Sequence, residues 1–224
     1  DIYYMNFSRQ DFSQERFLAE LGDLIEDINS RGERPTLFCI SFSCGLAARF
    51  LSDGMLTANL RIAGCVFISP VMCMEDLVRT PTDMPHKRGL LEIILKRILD
   101  ATEQQHDDLN RHIEKGRRYF RRLVEAGAEC RPLTLQHLAL RENILDMIDQ
   151  TTAIAGHKRF LSIKTFNIPK QTRPVYNGPF LMLIAEREDE VFLPTAPTLA
   201  FLEDAGHFRD IFPRSEEHTS ELQS

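Results

Sequence analysis

The chain has 224 residues and a mass of 25.8 kDa; 43% of its residues are hydrophobic and 27% charged. A formal net charge of -6 and a pI of about 5.7 disfavour a dedicated nucleic-acid binder, because neutralising phosphates calls for a basic excess. Eleven Gly and eleven Pro exclude a low-complexity chain. No apolar run reaches the roughly 18–20 residues that span a bilayer, and five Cys without a Cys-x-x-Cys pair argue against a disulfide framework or zinc knuckle and for a reducing, cytoplasmic compartment.

Residues 12–29 read as a helix. Phe17, Leu18, Leu21, Leu24, Ile25 and Ile28 fall on one face at helical spacing, and Asn29-Ser-Arg-Gly32 closes it. Thr36–Ile40 is a short apolar run without alternation, which predicts a strand covered on both faces. A Ser/Gly turn and a helix through Leu46–Leu51 follow, then a second buried strand at Ile62–Ile68 ending in Ser69-Pro70. Helix, strand, helix, strand at these lengths predicts βαβ units, a mostly parallel sheet flanked by helices.

Residues 75–172 change character. Leu90–Leu99, Asp107–Ala126 and Leu138–Ile154 read as helices, with no long β-branched run among them, so this block is an insertion in the α/β pattern. A turn-rich linker at Pro169–Pro179 leads to a strand at Phe180–Ala185, and Thr198–Leu202 reads as the last one. The domain organisation expected is 1–74 and 173–213 as two parts of one core, with 75–172 inserted as a helical cap. The final segment, Arg214–Ser224, reads RSEEHTSELQS, carries a single leucine, and resembles the in-frame translation of a common sequencing adapter; it is set aside as a non-native tail.

Three features bear on chemistry. Ser41-Phe-Ser43-Cys-Gly45 sits between a buried strand and a helix, where small residues let a serine project from a sharp turn at the sheet's edge. The amide of Cys44, near the helix N-terminus, is placed to stabilise an oxyanion. Glu186–Glu190 puts carboxylates at the end of a strand, and Gly206-His207-Phe208 puts an imidazole after the last one.

Together these residues resemble the α/β-hydrolase superfamily, whose chain order is nucleophile, acid, histidine. The likeness covers residues 1–74 and 173–213, with the cap matching in position only. It implies Ser43 as nucleophile, Asp189 as acid and His207 as base, with Glu188 as the alternative acid and Ser41 as a weaker alternative nucleophile. The implied function is a serine hydrolase acting on a small-molecule ester, amide or similar acyl bond, without a cofactor, metal, nucleic acid or membrane partner. Rival readings on the same scaffold are a non-catalytic ligand-binding protein and an acyltransferase.

The sequence departs from the family pattern in three ways: Ser41 replaces a glycine, the 189–207 segment is short, and the strands that normally come first would precede Asp1. The loop that supplies a second oxyanion amide would go with them. Loss of one such donor costs about 2.7–4 kcal/mol of transition-state stabilisation, so the chain taken alone is expected to fold poorly or be inactive. Elsewhere, the basic run Arg111–Arg122 reads as a solvated helix face. The histidines show no metal spacing, and Asn6-Phe-Ser8 matches a glycosylation acceptor by chance.

Overall fold

The computed structural model describes residues 1–78, 90–103, 108–127, 135–170, 175–183, 198 and 211–214. They form two compact units: one of residues 14–81 and 162–224, the other of residues 1–13 and 82–161. These divisions differ from the 74/75 and 172/173 boundaries read from the sequence.

The first unit is built on a four-stranded parallel sheet in the order β1 (Thr36–Ile40), β2 (Gly64–Ile68), β3 (Phe180–Leu183), β4 (Ile211–Arg214). The register runs Phe38, Val66, Leu181, Phe212 across the sheet, and Cys39, Phe67, Met182, Pro213 beside it. The second row faces inward: Cys39, Phe67 and Met182 are buried, and Phe67 meets Phe180 edge-on at 4.9 Å. The first row does not. Phe38 is 64% and Ile40 55% exposed, so β1 is covered on one face rather than both. A run of apolar residues reports β propensity, but the covering of the second face depends on elements beyond the strand itself.

Helix α1 (Gln14–Ser30) buries Leu18, Leu21, Ile25 and Ile28, the stripe expected from spacing. It ends where Gly32 takes a positive φ of 82°, which lets the Gly32 amide turn back to the Asn29 carbonyl at 2.9 Å. Helix α2 (Phe42–Ser52) lies against β1 and buries nearly every residue from Cys44 to Leu51. Phe50 has no exposed surface and lies near Gly22 of α1. A one-turn helix, α3 (Gly54–Thr57), is capped by Asp53 and leads into β2. Strand β4 falls at 211–214, whereas Thr198, the first residue of the last strand read from the sequence, is helical. Residues 199–202 lie outside the described residues. Arg214, set aside with the tail, pairs with Leu183 in the sheet.

The second unit is helical: α4 (Leu90–Glu103), α5 (Leu109–Gly127), α6 (Leu135–Gln150) and the greater part of α7 (Ala153–Phe166). The single helix expected at 138–154 is two helices. Thr152 breaks it, its hydroxyl accepting from the Ala155 amide at 3.1 Å as an N-terminal cap. Residues 1–13 join this unit through polar contacts with α7 and its cap. The Thr152 amide donates to the Arg9 carbonyl (2.8 Å), Arg159 donates to the Ser8 carbonyl (2.8 Å) and lies over the Phe7 ring, and Lys158 pairs with Asp11 at 2.6 Å. No helix among the described residues is long and apolar enough to cross a membrane.

Within this unit the Thr102 hydroxyl donates to the Ile98 carbonyl (2.7 Å) and lies 2.8 Å from His157 Nε2. That leaves the imidazole N–H as donor to Thr102. Burial holds the His157 pKa below its ordinary 6.5. In the window below 6.5 the unfolded chain therefore binds a proton that the folded chain does not. This contribution to stability is complete above that value and is lost as pH falls toward the folded pKa. His157→Gln, which keeps a donor for Thr102, is expected to flatten the fall in urea midpoint between about pH 7 and about pH 5; an unchanged slope would show that His157 carries none of it.

Candidate active site

The turn from β1 into α2 is tightly constrained. Its backbone is held from both sides. The Ser41 amide donates to the Ile68 carbonyl of β2 at 2.8 Å, and the Ser41 carbonyl accepts from the amides of Cys44 (3.0 Å) and Val71 (3.2 Å). Ser41 itself has φ 52° and ψ -115°, a conformation that side-chain-bearing residues rarely adopt. Such strain costs about 1–3 kcal/mol and persists only where neighbours over-determine it.

The two serines of the turn differ. The Ser43 hydroxyl is committed: it donates to the Ile40 carbonyl and accepts from the Ile40 amide, both at 2.8 Å. The Ser41 hydroxyl makes no side-chain capping bond to α2 and has no hydrogen bond among the described residues; the residue is half-buried at the carboxyl end of β1. The strain and the unoccupied hydroxyl coincide at Ser41, two residues before the expected nucleophile. A strand-to-helix nucleophile turn combines those two properties. The local sequence signal for Ser41 was that it directly follows the strand, with α2 beginning at the next residue.

Cys44 does not supply a ready oxyanion donor, because its amide already serves the Ser41 carbonyl. Its thiol is fully buried, contacts the Ile68 carbonyl at 3.7 Å, and is pushed well above the ordinary thiol pKa by burial. The same cause pushes Cys39 and Cys73 up to about 12 and raises Cys65 as well. These four are buried, unpaired thiols that stay protonated near neutral pH and behave as small apolar fillers.

Gly45 has a packing role. A Cβ there would lie 2.4 Å from Phe166 Cδ2 and 2.6 Å from the Val71 carbonyl oxygen. The absence of a side chain lets α2 press against the loop after β2 and against Phe166, whose ring also meets Phe42 at 5.5 Å.

A buried carboxylate, not singled out by the sequence, holds the loop after β2. Asp76 Oδ2 accepts from the amides of Met72 (2.8 Å) and Cys73 (3.2 Å) and from the hydroxyl of Thr198 (3.0 Å). Both Asp76 and Thr198 are buried. In the sequence Met74-Glu-Asp76 looks like a solvated acidic turn; only the fold brings Thr198 to it. Asp189, Glu188 and His207 lie outside the described residues, as does Cys130. Among the described residues no group of His, Cys, Asp and Glu converges closely enough to hold a metal ion.

The fold has known counterparts. A bromoperoxidase from Bacillus anthracis superposes with a TM-score of 0.56 at 13% identity, over 95% of this chain and 68% of that one. A Burkholderia cenocepacia protein assigned as an aryl esterase superposes with a TM-score of 0.50 at 16% identity, over 92% of this chain and 62% of that one. The chain thus spans about two thirds of the length of these structures. No protein-family profile matches the sequence, and no curated protein is significantly similar to it. Parallel strands in sequence order, a tight β1–α2 turn and a helical segment between β2 and β3 give this chain an α/β-hydrolase fold.

Gly45→Ala tests the packing of the turn. With a backbone oxygen as one obstacle, the new methyl displaces α2 and is expected to cost about 1–3 kcal/mol in urea unfolding. A loss below about 0.5 kcal/mol would mean that Phe166 and the loop move aside freely.

Proposed function

We propose that the protein is a serine hydrolase that cleaves an ester, amide or similar acyl bond, with its nucleophile in the Ser41–Gly45 turn and Asp189 and His207 as acid and base. The observation that carries the reading is the conjunction at Ser41: a strained backbone at the carboxyl end of a parallel strand, a hydroxyl with no partner among the described residues, and a helix that begins at the next residue. That conjunction favours Ser41 over Ser43 as the attacking group.

In this mechanism His207 takes the hydroxyl proton as the serine oxygen attacks the carbonyl carbon, and Asp189 holds the imidazole in the productive orientation. The amide of the residue after the nucleophile, Phe42, faces the developing oxyanion. Collapse of the tetrahedral intermediate expels the alcohol or amine, which receives the proton from His207. Water, deprotonated by the same imidazole, then releases the acid from the acyl-enzyme.

The test is fluorophosphonate labelling and p-nitrophenyl ester turnover of the full natural protein. Ser41→Ala is expected to abolish labelling and lower turnover about a thousandfold or more, while Ser43→Ala keeps both within about tenfold. Ser41→Gly is expected to lose labelling yet unfold no more easily than the parent, since glycine accepts the positive φ. Labelling that depends on Ser43 and not Ser41 would return the nucleophile to position 43. Labelling of neither serine would end the hydrolase reading.

A further inference from the structure

Helices α4 and α5 of the helical unit pack through a close seam. Gly116 of α5 faces Ile94 and Ile98 of α4, and a Cβ at Gly116 would lie 3.1 Å from Ile98 Cδ1. Beside this seam is a cavity of about 570 Å³, within the ~300–1,000 Å³ range of small-molecule sites. Five exposed basic side chains line it: Arg97 from α4, and Arg111, Lys115, Arg118 and Arg122 from α5. Positions 111, 115, 118 and 122 follow helical spacing and form one stripe. Among the described residues no carboxylate lines the cavity.

The charges on α5 are segregated. On its other flank, Arg117 pairs with Glu114 at 3.0 Å, and Arg121 pairs with Glu125 at 3.2 Å and Asp149 at 3.1 Å. Arg117 also donates to the Asp149 and Thr151 carbonyls where α6 ends. The five cavity cations make no ion pair among the described residues; Arg118 reaches only the Glu114 carbonyl, at 3.4 Å. Like charges at these spacings repel one another, and a concave surface of one sign concentrates that field on whatever enters. Leu90, Ile94 and the ring of Tyr119 supply an apolar wall to the same cavity.

We propose that this cavity binds a small organic polyphosphate, its phosphate groups held by the guanidinium stripe and its organic part set against Leu90, Ile94 and Tyr119. Guanidinium forks match phosphate oxygens in pairs, which suits four arginines better than a site of lysines would. The cavity's limited volume and apolar wall favour a compact ligand over an extended nucleic acid, as does the net charge of -6 on the whole chain. The site stands apart from the hydrolase reading and does not rest on it.

Isothermal titration of the full chain with ATP at low salt is the test, with inorganic triphosphate and adenosine as partial probes. One saturable site is expected for ATP, weaker binding for triphosphate, none for adenosine, and loss of affinity as salt rises. Arg111→Ala and Arg118→Ala should each weaken ATP roughly tenfold or more. Arg118→Lys, which keeps the charge and loses the fork, should fall between. Arg121→Ala, on the paired flank, should bind like the parent, and far-UV circular dichroism checks that the variants stay helical. Absence of saturable ATP binding, binding by the Arg111 and Arg118 alanine variants equal to the parent's, or tighter binding of a single-stranded RNA than of ATP would each overturn the proposal.

Discussion

The geometry of the first unit hangs on how α2 is held against the carboxyl ends of β1 and β2. Three backbone hydrogen bonds fix Ser41: one to the Ile68 carbonyl and two from the Cys44 and Val71 amides. Gly45, with no side chain, lets Val71 and Phe166 close over the first turn of the helix. The chain cannot relax Ser41 without giving up sheet pairing on one side or helix packing on the other. A strained residue in such a grip stays in place.

The surrounding chemistry follows from the same packing. With α2 and the β2 loop packed together, Cys39, Cys44, Cys65 and Cys73 are buried, and burial keeps their thiols protonated. The turn thus holds nucleophile-type residues of two kinds, of which the thiols are silenced by desolvation. Asp76, also buried, is met by two amides and a hydroxyl, so its carboxylate anchors the loop that carries Val71 into position.

The helical unit shows a different economy of charge. Arg117 and Arg121 stitch α5 to the end of α6 through carboxylates and helix-terminal carbonyls, which welcome cations. The neighbouring stripe of cations is left facing a cavity with an apolar wall. Arg111, Lys115, Arg118 and Arg122 are exposed, as the solvated helix face read from the sequence requires, and together with Arg97 they also line one concavity.

Much of the architecture was legible in the chain order of apolar runs. The stripe of α1, the interior rows of β2 and β3, and the helical block between them follow from side-chain periodicity, which is a local property. The boundary at Thr152 was missed because a mid-pattern threonine reads as helix until its hydroxyl is seen capping Ala155. The covering of β1 was misread because an apolar strand and a doubly buried one look alike in sequence, while the exposure of Phe38 and Ile40 is set by what packs nearby.

At the candidate site the pentapeptide Ser41–Gly45 alone marked a turn with a serine to offer, since small residues between a strand and a helix are a local signature. Which serine is strained, which hydroxyl is occupied and which amide is spent depend on Ile68, Val71 and Phe166, which lie well downstream in the chain. Periodicity determined the elements and their order. Long-range hydrogen bonds and close packing decided which atoms of the turn remain available for chemistry.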